Sequence, residues 1–218
     1  MLISVIVNFV PIILAIVLHE IAHGYAAYLC GDATAKHYKR LSLNPLRHVD
    51  PLGTIIIPTL LLLSKTGVIF GWAKPVPVNF NNLRNPKTDT IIVASAGILM
   101  NFLLAFISAM LLKLMPYISH VLTQGILTLF LLNMVIFNVV LAVFNALPIP
   151  PLDGSKILLG WSANPHIQKF LNSYREGTLL IILAAFVIPL CARYLGYDFN
   201  PFGSYMIKVS RYLIGLFI

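Results

Sequence analysis

The chain has 218 residues, of which 59% are hydrophobic and only 10% charged. A water-soluble domain carries about 25% charged residues, so these figures exclude an ordinary soluble globule and a disordered chain, and indicate an integral membrane protein. The 15 Lys and Arg outnumber the 7 Asp and Glu, for a net charge of +8. They are scattered through loops between apolar runs, which reads as membrane topology and attraction to anionic lipid rather than nucleic-acid binding.

In chain order, residues 2–29 form a first apolar helix, interrupted by Pro11 and closed by Gly31-Asp32. It starts without a basic region or a cleavage site, so it reads as a retained helix rather than a signal peptide. Residues 32–50 are polar and basic, with strand-like alternation around Ala33–Leu43. Pro51–Ser64 is apolar but short for a span and holds Pro51, Gly53 and Pro58, which suits a re-entrant segment. Residues 65–89 are polar again, and Val68–Phe80 alternates around Pro75 and Pro77, as an edge strand does. Thr90–Leu114 predicts a second span, Met115–His120 a tight turn, and Val121–Ala146 a third span ending in Leu-Pro-Ile-Pro-Pro-Leu-Asp-Gly. Ser155–Glu176 is polar with a short surface helix, Gly177–Leu195 is a fourth span, and Ser204–Ile218 is a short helix, spanning or interfacial. The pattern predicts an all-α polytopic membrane protein. It is a single domain over 1–218, with about four to six transmembrane or re-entrant helices and a small membrane-associated β-sheet.

Most basic residues fall in the segments 31–50, 65–89 and 155–176. If Pro51–Ser64 does not cross, all three lie on one side, and the positive-inside rule makes that side cytoplasmic. Cys30 and Cys191 border apolar segments and read as core thiols. Small-residue pairs such as Ala105 and Ala109 permit close helix packing.

Glu20 and Asp153 are the two acidic residues in or beside apolar runs, where a charge is costly and by default functional. Glu20 lies in His19-Glu20-Ile21-Ala22-His23, an HExxH pattern on a helix. Positions i and i+4 share a face, so the two imidazoles can bind one zinc ion, with the glutamate beside them as general base. At this composition the pattern arises by chance only about 0.0015 times in such a chain.

Two histidines leave a catalytic zinc short of a third protein ligand. Asp153 is the best candidate, because its span returns to the side on which His23 lies, and Pro148, Pro150 and Pro151 impose an extended segment before it. Capping a helix that starts at Gly154-Ser155 is the lesser alternative for Asp153, and the two roles can coexist. His37, His48, His120 and His166 sit in polar segments and read as solvated. Cys30 lies on a different face of the first helix from His23 and is a poorer ligand.

The combination of HEIAHG, Gly97-Ile-Leu-Met-Asn101, Asn145-Ala-Leu-Pro-Ile-Pro-Pro-Leu-Asp153-Gly154 and NPLRHVDPLGT over Asn44–Thr54 resembles the site-2 protease family of intramembrane zinc metalloproteases. The likeness runs from residue 10 to about 160 and is to the compact prokaryotic kind, without a PDZ insertion. It implies one zinc per chain held by His19, His23 and Asp153, and Glu20 as general base and proton donor. It implies Asn101 and Asn145 near the substrate carbonyl, where interhelical hydrogen bonding is the alternative role for each. It also implies a transmembrane protein as substrate, a location in the cell membrane with the site toward the cytoplasm, and a sheet edge able to hold an unwound substrate. A zinc transporter or binder using the same ligands and an inactive adaptor are the rival readings. A transporter needs a polar track across the bilayer, and beyond the motif half the spans offer only Asn8, Asn133 and Asn138.

Overall fold

A computed structural model describes residues 2–56, 59, 72–162 and 164–218. Its elements are α1 (Leu2–Leu29), α2 (Thr34–His37), α3 (Pro86–Leu112), α4 (Val121–Asn145), α5 (Asp153–Trp161), α6 (Pro165–Leu171), α7 (Tyr174–Tyr194) and α8 (Pro201–Phe217). Among the described residues, α1, α3, α4 and α7 are long and apolar enough to cross a membrane. All four predicted spans are therefore present, each within a few residues of its expected ends. Segment Pro51–Ile56 is a π-type turn, and the rest of the predicted re-entrant stretch lies almost wholly outside the described residues.

Helices α1, α3 and α4 pack pairwise into a three-helix core, α5 lies against α3, and α8 lies against α4. Small side chains make this possible. Ala15 and Ala27 on α1, Ala94, Ala105 and Ala109 on α3, and Ala142 on α4 are all buried, so the helix axes approach closely and gain dispersion contacts that lipid could not supply. Ala105 and Ala109 meet Val135, Val139 and Val143 of α4, and Met206, Val209, Leu213 and Phe217 of α8 cover that seam. The alanine pair thus serves packing within the chain. At 17 residues, α8 is about 25 Å long, short of the ~30 Å hydrocarbon thickness. The opposite faces carry Phe9, Leu99, Leu103, Phe106 and Leu190, all exposed, as lipid-facing surfaces should be.

Pro11 sits fully buried inside α1. A proline has no amide hydrogen, so the carbonyl four residues earlier loses its helix partner. That carbonyl belongs to Val7, and the Asn133 amide of α4 donates to it at 2.8 Å. In lipid an unpaired carbonyl costs several kcal/mol. The bond therefore removes a liability and fixes the contact between α1 and α4.

Two sequence expectations are corrected. No β-strand occurs among the described residues, so the small sheet is not supported. Ala33–Leu43 instead contains α2, followed by a turn in which Lys39 has φ +53°. Its alternation arises because Ala35 and Leu41 both pack toward Gly24 of α1, not because the backbone is pleated. The described part of Val68–Phe80 is extended but unpaired with any strand. Its amides bond elsewhere, Trp72 to the Gly53 carbonyl at 3.1 Å and Lys74 to the His48 carbonyl at 2.8 Å. His48, expected to be solvated, is buried, with its Nε2 2.9 Å from the Ser42 carbonyl oxygen.

If Asn133 acts on the carbonyl that Pro11 frees, the two substitutions must be coupled. Asn133→Leu is expected to destabilise the protein by about 1–3 kcal/mol in equilibrium unfolding, and by under about 0.5 kcal/mol in a Pro11→Ala background. Equal losses in both backgrounds would break the link.

Candidate metal centre

The end of the bundle where α1 finishes and α3 begins is built from capping interactions. The Asp89 side chain accepts the Asn85 amide at 2.8 Å, closing the first turn of α3 in the manner of a capping box. Asp32, just beyond α1, has no exposed surface. It accepts hydrogen bonds from the Thr34 hydroxyl, from the Thr34 amide at 3.1 Å, from the Asn79 amide at 2.7 Å and from Asn82 Nδ2 at 2.9 Å. Burial pushes its carboxyl up, but these donors together hold it below the usual carboxylate range. Asp32 thereby ties segment 79–82 to the end of the motif helix. In the sequence it reads only as a polar residue after a helix.

The NPLRHVDPLGT stretch is likewise turn-building. Asn44 accepts the Leu46 amide at 3.0 Å, Asp50 accepts the Gly53 amide at 2.7 Å, and the Thr54 hydroxyl donates to the Trp72 carbonyl at 2.8 Å. This network anchors the extended segment Trp72–Asn79. Along that segment the Val76 amide donates to Glu20 Oε2 at 2.7 Å. The Arg40 guanidinium braces the same stretch by donating to the Lys74 and Pro75 carbonyls at 2.9 and 3.2 Å.

His19 and His23 lie on one face of α1, with ring centroids 4.5 Å apart in an edge-to-face arrangement. Asp153 opens α5, and its Oδ2 is 3.2 Å from His19 Nε2 and 3.0 Å from His23 Nε2, while the two Nε2 atoms are 3.0 Å apart. Among the described residues these three form a group whose donor atoms could hold one metal ion. Lys156, one turn further on, reaches the other carboxylate oxygen at 3.2 Å. Asp153 thus begins its helix, where a negative charge is favourable, yet turns its carboxylate to the histidines and Lys156 rather than capping.

The proton positions follow from the partners. His23 Nδ1 is 2.7 Å from the Val93 carbonyl oxygen, which can only accept, so that nitrogen carries the hydrogen. His19 Nδ1 is 2.5 Å from Asn101 Oδ1. Asn101 Nδ2 donates to the Ala15 carbonyl at 3.3 Å and to Asn138 Oδ1 at 2.8 Å, so the amide oxygen faces His19 and His19 Nδ1 must donate. In their neutral forms both imidazoles therefore present bare Nε2 lone pairs to each other and to a carboxylate oxygen. Three acceptors at 3.0–3.2 Å without a hydrogen between them repel, and a cation among them reverses that. Two imidazole nitrogens and one carboxylate oxygen form a catalytic zinc donor set, with the second ring nitrogens engaged as ligating histidines require.

Gly97 keeps this space clear. A Cβ there would lie 2.4 Å from His23 Nε2 and 2.6 Å from His19 Cε1, so only glycine lets α3 pass against the histidine pair. Gly154 has the same function for Asp153, since a Cβ would meet the Ala146 carbonyl oxygen at 2.2 Å. The turn Ala146–Leu152, which contains the cis Pro150–Pro151 bond, folds back over it.

The structure brings His19, His23, Asp153 and Asn101 together, with Glu20 beside them on α1. Asn145, at the end of α4, is half-buried, and its Nδ2 donates to the Leu141 carbonyl at 3.0 Å. His120 caps α4, accepting the Thr123 amide at 3.3 Å. Asn138 and Val76 join the site without any signal in the sequence motifs.

Fold and site together define a multi-pass membrane protein with a buried group of two histidines and one aspartate that could hold a metal ion. The profile of peptidase family M50 matches residues 113–190. "Putative zinc metalloprotease YwhC" of Bacillus subtilis (strain 168) is 37% identical over 188 residues, 83% of this chain and 80% of that protein. "Putative zinc metalloprotease Rip2" of Mycolicibacterium smegmatis (strain ATCC 700084 / mc(2)155) is 28% identical over 209 residues, 92% of this chain and 76% of that protein. No solved structure matches the chain significantly. The chain belongs to peptidase family M50, the site-2 protease family, and is a metallopeptidase of the membrane. The family implies zinc, which the donor set fits.

The role of Gly97 is testable by metal analysis. Gly97→Ala is expected to lower bound zinc at least tenfold while the protein stays helical by circular dichroism. Gly125→Ala, where a Cβ would meet nothing within 4 Å, is expected to bind zinc as the parent does.

Proposed function

We propose that this protein is an intramembrane protease that cleaves peptide bonds in transmembrane segments of other membrane proteins. The supporting observation is the convergence of His19, His23 and Asp153 at 3.0–3.2 Å near one end of apolar helices, within reach of the polar loops. His19, His23 and Asp153 would hold one zinc ion. When bound, the ion supplies Lewis-acid chemistry, polarising a carbonyl and lowering the pKa of water.

Glu20 is the proposed general base. The Val76 amide holds its Oε2, which orients the carboxylate and leaves Oε1 as the proton acceptor. Glu20 takes a proton from the attacking water as the new C–O bond forms, then delivers it to the amide nitrogen as the C–N bond breaks. A substrate helix must unwind first, because its own carbonyls are engaged in helix hydrogen bonds. Asn145 is proposed to face the substrate carbonyl from the end of α4, where the turn leading to Asp153 begins. Asn101 is proposed to act through His19, since its polar atoms are engaged with His19, Ala15 and Asn138.

The described loops and short helices that connect the spans carry Lys36, Lys39, Arg40, Arg47, Arg84 and Lys169. By the positive-inside rule the end that holds the site faces the cytoplasm in a cell membrane, and water reaches the site from there. Residues 1–218 act as one domain in this reading.

Glu20→Gln preserves an acceptor for the Val76 amide but cannot take a proton. It is expected to retain zinc and to lose cleavage of a transmembrane reporter by about 10²–10⁴-fold. Asp153→Ala is expected to lose zinc. Undiminished cleavage by Glu20→Gln would contradict the assignment of the base.

A further inference from the structure

A line of buried amides runs from the C-terminal half of α4 to His19. Asn138 Nδ2 donates to the Met134 carbonyl at 2.8 Å, one turn back on its own helix. This fixes which end of the Asn138 amide is oxygen, and that oxygen accepts Asn101 Nδ2 at 2.8 Å. Asn101 Oδ1 in turn accepts His19 Nδ1–H at 2.5 Å. Asn138 and Asn101 have no exposed surface, and His19 is only 5% exposed. Water therefore cannot substitute for any link.

We infer that Asn138 is a positioning residue for the metal centre: it holds the Asn101 amide in the one orientation that makes His19 a donor at Nδ1 and leaves Nε2 bare. This inference rests on the metal-binding reading of His19. A flipped Asn101 would set its oxygen against Asn138 Oδ1 and present its NH₂ group to His19 Nδ1. His19 would then carry its hydrogen on Nε2, the atom that faces His23 and Asp153. The one other restraint on Asn101 is the longer bond to the Ala15 carbonyl, 3.3 Å, and that carbonyl lies at the position that accepts the His19 helix amide. Without Asn138 the two orientations of Asn101 become comparable, and a fraction of His19 is lost as a ligand.

By contrast Asn133, also on α4, bonds to Val7 and Asn8 of α1 and has no link to the site. It supplies the control for a general loss of packing polarity.

The experiment uses the full chain in detergent. Zinc affinity is measured by competition with a chelator, and the His19 ring ¹⁵N resonances, assigned by their loss in His19→Gln, are recorded without zinc. In the parent, His19 is expected to show a protonated Nδ1. Asn138→Leu is expected to show both tautomers and to bind zinc about 10–100-fold more weakly. Asn138→Asp, which keeps an oxygen acceptor for Asn101, is expected to bind within about threefold of the parent, and so is Asn133→Leu. Unchanged zinc affinity and a single Nδ1–H tautomer in folded Asn138→Leu would overturn the inference, as would an equal loss in Asn133→Leu. If Asn138→Leu does not fold, the parent decides, because a His19 Nδ1 without hydrogen there refutes the chain of amides by itself. A parent that binds no zinc yet shows the Nδ1–H tautomer would remove the metal reading and leave the amide chain standing.

Discussion

The structure depends on one electrostatic constraint. Two imidazole nitrogens and a carboxylate oxygen face each other at 3.0–3.2 Å among apolar helices, with both ring hydrogens committed to Val93 and Asn101 on the far sides. Such a cluster of lone pairs is repulsive and poorly solvated, and Lys156 at 3.2 Å reaches only the other carboxylate oxygen. Everything around it answers that constraint. Gly97 brings α3 close enough for Val93 and Asn101 to reach the histidines, and Gly154 lets the turn after α4 fold back so that Asp153 meets them. A cation is what this donor set fits.

A second constraint comes from lipid, where every backbone polar group needs an internal partner. Helix α1 meets it at Pro11 through the Asn133 amide. The extended segment Trp72–Asn79 meets it differently, by spreading its amides over Gly53, His48, Glu20 and Asp32. The bond to Glu20 joins backbone satisfaction to chemistry. The group proposed to move the proton is oriented by an amide whose own position is set by Arg40 and by the turns of NPLRHVDPLGT.

The four spans and the His19, His23 and Asp153 set were legible because each rests on a local signal: long apolar runs, an i/i+4 histidine pair, and an aspartate after a proline-rich break. The expected sheet failed because alternation in Ala33–Leu43 came from side chains packing toward Gly24 of α1, a tertiary cause that imitates a strand period. His48 reads as solvated and Asp32 only as a polar residue after a helix, yet both are buried, Asp32 as the acceptor of hydrogen bonds from Thr34, Asn79 and Asn82 and His48 against the Ser42 carbonyl. Asn133 and Asn138 were equally opaque. Nothing in a single sequence says that one answers a proline and the other a histidine, since both partners lie more than a hundred residues away or across an intervening amide.

X-ray absorption at the zinc edge of the purified, zinc-loaded protein reads directly whether His19, His23 and Asp153 hold one metal ion. The expected spectrum has a shell of nitrogen and oxygen neighbours at about 2.0–2.1 Å, with outer-shell scattering from two imidazoles and none from sulfur. A sulfur neighbour at about 2.3 Å, or a shell without imidazole scattering, would contradict it.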